Sequence, residues 1–261
     1  MHISTILFLL TIAPVSLLLN DLFLQPLAVN SLLPVYVHYD DLFKTFWCMP
    51  VFGWIIVLVE RYHGTVFKRD QLSLSFLLLS GFYFYGFGVN QTHNALDNYL
   101  KRRTEVVVPP EVEGGIYFFD EYVGHWLLAV SYAGLQARWL WIEVRGKRKA
   151  PKVEEPKGFV TALAVASGYF TALALLESQA MFFFVYLLLI PILLPLLINN
   201  PTPLAAYIQV QALTQLLLAG WWHNLHGSFE EPSVLVSGGR SLQEVMGMGI
   251  VEALMGLGSE L

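Results

Sequence analysis

The chain holds a single cysteine, Cys48, in 261 residues. One thiol excludes an intramolecular disulfide and any zinc or iron–sulfur site built on cysteine, and leaves Cys48 to be read as a small buried apolar residue. Charge is scarce too. Only 13% of the residues are Asp, Glu, Lys or Arg, about half the share usual in a soluble domain. No Lys or Arg precedes the first apolar run, so that run is expected to be a membrane span rather than a signal peptide, whose leading region is normally basic. No internal repeat or low-complexity tract interrupts the chain, and no nucleic-acid partner is expected.

What is abundant is apolar surface. Hydrophobic residues make up 56% of the chain and the mean hydropathy is +0.56, more than one soluble core of this size would need. Seven apolar stretches, about 3–24, 43–60, 71–92, 119–142, 158–178, 180–199 and 203–225, have the roughly 20 residues that cross a hydrocarbon layer of about 30 Å. The expected fold is therefore an all-α integral membrane protein, with about seven transmembrane helices in one bundle over residues 1–226. Pro14, Pro50, Pro191 and Pro195 fall inside the stretches, as membrane helices tolerate.

Basic residues set the orientation. Arg61, Lys68 and Arg69 lie between the second and third stretches, and Arg145, Lys147, Arg148, Lys149, Lys152 and Lys157 between the fourth and fifth. Both connections are expected to be cytoplasmic, with the N-terminus inside and the C-terminus outside. Lys101, Arg102 and Arg103 argue the other way, but they are interleaved with Glu105, Glu111 and Glu113 and are fewer. The connection 98–117 then becomes a long extracytoplasmic loop, broken by Pro109-Pro110 and Gly114-Gly115, and 146–157 a solvated cytoplasmic linker. The tail, 227–261, lies outside and offers a short helix over 241–257, suited to interfacial docking or subunit contact.

This topology gathers three polar clusters at the outer ends of their helices. Gly86, Asn90, His93 and Asp97 share one face of the third helix. Glu121 and His125 are four apart on the fourth, with Tyr132 and Gln136 continuing inward, and Asp120 beside them. Gln211, Gln215, His223 and His226 line the seventh. Polar side chains are costly against lipid, so each stripe is expected to face the bundle interior. Four histidines with Asp97, Asp120 and Glu121 form the kind of donor set taken by zinc or another divalent metal. Taken singly, Asp97 and Asp120 read as caps or solvated loop residues. The sequon Asn90-Gln91-Thr92 lies within the helix end, so Asn90 is expected to hydrogen-bond inside the protein rather than carry a glycan. The runs Phe82-Tyr83-Phe84-Tyr85 and Trp221-Trp222, with Trp139 and Trp141, read as interface belts and packing.

Other chemistries are excluded by what is missing. The seventh helix has no lysine for a retinal Schiff base. There is no glycine-rich phosphate loop and no G-x-S-x-G elbow. His2, His38 and His63 lie apart from the other histidines, so the HxxxH and HxxHH boxes of di-iron desaturases are not formed.

Seven helices with a histidine near the end of the third and a histidine pair on the seventh resemble the seven-helix metal hydrolases of the ceramidase and adiponectin-receptor superfamily. The resemblance implies a zinc held by three histidines that activates water against a lipid amide. His93 would stand for the first ligand, and His223 and His226 for the last pair. The chain departs from that pattern in having HxxH rather than HxxxH, in having Val89 where the family has a serine, and in placing the site at the outer face.

Combining residues and resemblance, the expectation is a metal-dependent hydrolase of a lipid or other membrane-delivered substrate. His93, Asp97, His125, His223 and His226 would hold the divalent metal, zinc foremost. Glu121 or Asp120 would serve as base and Asn90 as polarising donor. The alternative is a non-catalytic, haem- or metal-binding subunit of a larger membrane complex. A transporter ranks third, since the third and seventh helices lack the paired Gly/Pro-broken spans of inverted repeats.

Overall fold

A computed structural model describes residues 3–23, 28–29, 37–38, 43–63, 74–102, 107–145, 156–177, 181–198 and 201–229. Within some of these helices the side chains of single residues, Asp97, Glu121 and Glu177 among them, lie outside the described set. Among the described residues, regular structure is helical apart from a two-residue antiparallel ladder pairing β1 (Ala28–Val29) with β2 (Val37–His38).

The helical segments join into seven rods. They are α1 (Ile3–Phe23), α2 (π segment Lys44–Cys48 running into Met49–Tyr62) and α3 (Leu74–Arg102). Next comes α4, which runs through Pro110–Tyr117, the π segment Phe118–Gly124 and His125–Val144. The last three are α5 (Lys157–Glu177), α6 (Met181–Leu193, tightened to a 3₁₀ turn at Leu194–Leu197) and α7 (Pro203–His226). Pro191 sits inside α6 and Pro195 in its 3₁₀ turn, where rings without an N–H loosen the α ladder. Thr202 caps α7, accepting the Ala205 N–H at 3.2 Å, and Pro203 takes the first helical position. Gly227 ends α7 in the left-handed conformation, φ 74°.

The expected seven helices are present, with two differences in extent. The third continues ten residues beyond 92, with His93 and Asp97 within α3 as their shared face required. The expected structureless loop over 98–117 is helical at both sides, because α3 runs to Arg102 and Pro110 starts α4 at the position where a proline is tolerated. The linker over 146–155 and the tail helix over 241–257 lie outside the described residues.

Two apolar clusters stack along the bundle. One joins Ile6 and Leu10 of α1, Ile55 and Val59 of α2, Tyr83 of α3, Trp139 of α4, Ala164 of α5 and Tyr207 of α7. The other joins Ala129 and Ala133 of α4, Leu176 of α5, Met181 and Phe184 of α6, and Trp222 of α7. Successive helices therefore alternate in direction. The C-terminal ends of α3, α5 and α7 share one end of the bundle with the N-terminal ends of α4 and α6. Where α5 crosses α7, a Cβ on Gly168 would lie 2.7 Å from both the Gln211 carbonyl and Thr214 Cβ, so a residue without a side chain permits the contact.

Among the described residues, Lys44–Tyr62 and Lys157–Leu176 are long and apolar enough to cross a membrane, and Ile3–Ala13 and Leu187–Leu197 are shorter apolar helices. Large apolar side chains are exposed on the bundle surface, and some polar ones are buried beside the apolar core. Trp47, Leu74, Leu196, Leu197 and Leu217 are more than half exposed, whereas Glu60, Asp120, Glu143, Gln136, Gln211 and Gln215 are buried.

Candidate functional site at the α3–α4 end

Two glycines let α3 and α4 approach closely. A Cβ on Gly86 would sit 2.7 Å from Leu127 Cβ and 2.9 Å from the Gly124 carbonyl, and one on Gly124 would sit 3.0 Å from both the backbone nitrogen and Cβ of Asn90. This contact brings the Asn90 amide to α4. Its Nδ2 donates to Asp120 Oδ1 at 2.6 Å and lies 3.0 Å from His125 Nε2, while Gln91 Nε2 donates to Asn90 Oδ1 at 3.1 Å.

Asp120 determines the chemistry of this trio. A carboxylate oxygen accepts, so the Asn90 atom facing it is the NH₂ group. That nitrogen only donates, so His125 Nε2 must accept from it and the imidazole proton resides on Nδ1. Both N–H groups of one neutral amide are therefore engaged, one on the Asp120 carboxylate and the other on the His125 lone pair.

The π segment sets the spacing of Asp120 and His125. A π turn closes i to i+5 and so carries one residue more than an α turn. Asp120 and His125, five apart, reach the same Asn90 amide, while the side chain of Glu121, expected to share the His125 face, lies outside the described residues. Asp120 is buried within a continuous helix, which corrects its reading as a cap or solvated loop residue. Asn90 is 7% exposed with its amide engaged, as expected of an internal hydrogen-bonding role.

The remaining expected ligands are placed elsewhere. His93 Nδ1 pairs with the Val89 carbonyl at 2.8 Å, and its ring stacks on Phe119 at 5.4 Å. His223 lies against Phe229 at 5.2 Å and His226 against Trp222 at 4.4 Å. All are at the same end of the bundle, but among the described residues no three His, Cys, Asp or Glu side chains converge to hold a metal ion. The expected set of His93, Asp97, His125, His223 and His226 is thus not assembled by the described side chains, with that of Asp97 outside them. Asp120 and His125 are two donors where a zinc site takes three or four.

Three further polar groups line the interior. At mid-bundle, Gln136 Nε2 donates to Gln211 Oε1 at 2.9 Å, and Gln211 Nε2 donates to Tyr132 Oη and Ser167 Oγ, each at 3.1 Å. Towards the opposite end, Glu60 accepts from Arg138 Nε at 3.0 Å, Arg138 Nη2 at 3.1 Å and Trp139 Nε1 at 3.1 Å. Beyond it, Glu143 accepts from the Thr202 hydroxyl at 2.7 Å and faces His63 Nε2 at 3.3 Å. Sequence reasoning had placed the mid-bundle glutamines on inward stripes but missed the two carboxylate sites. Arg138 and Glu60, ionisable residues inside apolar stretches, were the signal that could have found them. Trp139 and Trp222, nearly or wholly buried, are core residues rather than interface belts.

Neither a protein-family model, nor a curated protein, nor a solved structure matches the chain.

Proposed function

We propose that this chain is a seven-span integral membrane hydrolase acting on a lipid or other membrane-delivered substrate at the α3–α4 end of the bundle, the extracytoplasmic end by the distribution of basic residues. The membrane reading is supported by the exposed Leu, Phe and Trp side chains on a bundle that also buries Glu, Asp and Gln. The hydrolytic reading is carried by one observation, the Asp120–Asn90–His125 trio.

In this reading the Asn90 amide turns away from His125 as substrate enters, and the Nε2 lone pair it frees takes a proton from water as the water oxygen bonds to the substrate carbonyl carbon. The same proton passes to the departing amine or alkoxide when the scissile bond breaks. The Asn90 N–H released from His125 polarises the carbonyl oxygen, while the other stays on Asp120, which holds the amide in place. The exposed aromatics Tyr117, Phe118, Tyr122 and Trp126, which pack ring to ring along α4, would sit at the headgroup level beside the site.

The test is hydrolysis of amide- and ester-linked lipids by purified protein in nanodiscs, with elemental analysis of the same sample. His125→Ala should lower turnover about a hundredfold or more, and Asp120→Asn should lower it less, because it acts through Asn90. If no lipid is cleaved faster than by the His125→Ala protein, and both variants co-purify with a membrane-protein partner as well as wild type does, the chain is a complex subunit instead. Stoichiometric metal lost in His125→Ala would restore a metal to the mechanism. Orientation is checked separately by single cysteines at positions 65 and 107 in a Cys48→Ala background, where an impermeant reagent should reach only position 107.

A further inference from the structure

We propose that the bundle interior holds a file of water molecules, centred on Gln136 and Gln215, that carries protons between His125 at one end and Glu143 at the other. The proposal rests on the membrane-spanning reading and goes beyond the hydrolytic one.

The first ground is a polar stripe along α4. His125, Tyr132, Gln136 and Glu143 recur at steps of seven, four and seven, which keeps them on one helical face. Eighteen residues of α-helix rise about 27 Å, close to the hydrocarbon thickness of a bilayer. Glu143 at the far end meets His63 and Thr202, and His125 at the near end meets Asn90 and, through it, Asp120. Both ends therefore carry a carboxylate and an imidazole able to take up or release a proton.

The second ground is a set of buried hydrogen-bonding atoms with no protein partner. Gln215 is 1% exposed, and both its Nε2 and its Oε1 are unpaired; Gln136 is 2% exposed with its Oε1 unpaired. An amide buried without partners costs several kcal/mol in an apolar interior, and ordered water is the usual remedy. Gln215 stands one turn beyond Gln211 along α7, on the side towards the α3–α4 end. Water on Gln215 and Gln136 would thus extend the Tyr132–Gln136–Gln211–Ser167 network towards His125.

The third ground is the lining. Tyr132, Ser167, Tyr207 and Thr11 supply hydroxyls, those of Tyr207 and Thr11 hydrogen-bonding each other at 3.1 Å. Hydroxyls and waters pass protons by exchanging hydrogen bonds, while the amides orient the waters. The mid-bundle groups are neutral, and the nearest charges, Glu60 and Arg138, neutralise each other. A metal cation would find no carboxylate there to offset its lost hydration, so protons are the species this lining suits.

The experiment uses the full chain in phosphatidylcholine vesicles containing pyranine, with an inward proton flux driven by a valinomycin-clamped potassium gradient. Potassium movement balances the charge carried by each proton. Wild-type vesicles should acidify clearly faster than protein-free ones. Gln215→Leu or Gln136→Leu, which remove the water's partners at similar volume, should each cut the rate about tenfold, and Gln215→Asn should retain most of it. Should the leucine variants fail to fold, Tyr132→Phe removes one hydroxyl and serves as the second probe. Wild-type flux equal to that of empty vesicles, or folded leucine variants conducting as wild type does, overturns the proposal. Protein that does not float with the vesicles overturns the membrane reading and this inference with it.

Discussion

At one end of the bundle Glu60 meets Arg138 and Trp139, and Glu143 meets His63 and Thr202. At the other, Asp120 and His125 are joined through the neutral amide of Asn90. Both arrangements bury ionisable groups, but on different terms. The Glu60–Arg138 pair is bidentate, charge against charge, with a ring N–H on a carboxylate oxygen already engaged. Such a pair holds helices in register and has little capacity left for chemistry. An amide bridge instead keeps a carboxylate and an imidazole lone pair side by side without neutralising either. Where charge is matched the groups neutralise each other; where it is bridged, both stay bound to a neutral amide.

The largest expected effect falls on the matched end. Arg138→Met should destabilise the protein by roughly 3–5 kcal/mol, because Glu60 is left buried without its counter-charge. The double variant Glu60→Gln/Arg138→Met should recover much of that loss, as read by thermal unfolding in detergent. If the single variant melts like wild type, the matched end is not what holds the fold.

Next comes the helix contact that supports the bridge. Gly124→Ala should cost about 1–3 kcal/mol, since its methyl would meet the Asn90 backbone and side chain and there is little room to yield. A larger loss of activity than of stability would tie the contact to the site. Asn90→Ala should follow, with about 1–3 kcal/mol lost from the buried groups it satisfied and a proportionately greater fall in turnover. Equal falls in both measures would make the bridge structural and erase the difference between the ends. The smallest effect on turnover is expected from Thr202→Val, which should cost about 1–3 kcal/mol for the lost α7 cap and the hydroxyl donated to buried Glu143, with turnover unchanged. A fall in turnover there would show that the two ends are coupled.

Much of the fold was legible because each helix is written in a local pattern. Seven apolar runs, a proline and threonine at the start of α7 and a glycine at its end mark their limits in the sequence itself. The third and fourth helices were read too short for a physical reason. Polar residues past Asp97 looked like a loop, yet Asn98 to Arg102 continue α3, and Pro110 opens α4 rather than breaking it. The site was legible in part. Asn90 and His125 stood out as polar residues on inward faces, but their partner depended on the π segment at Phe118–Gly124, which shifts spacing by one residue and has no periodicity of its own to read.

The ionic pair between α2 and α4 shows the same division. Glu60 and Arg138 are 78 residues apart, and neither announces the other along the chain. The sequence by itself determined that the chain is helical, how many helices it forms and which faces are polar, because propensity and hydrophobic period act within a few turns. Which polar residue meets which was decided only by the tertiary structure. Glycine contacts, a π turn and helix direction set distances of 3 Å between groups far apart in sequence, and at that scale a shift of one residue exchanges one partner for another.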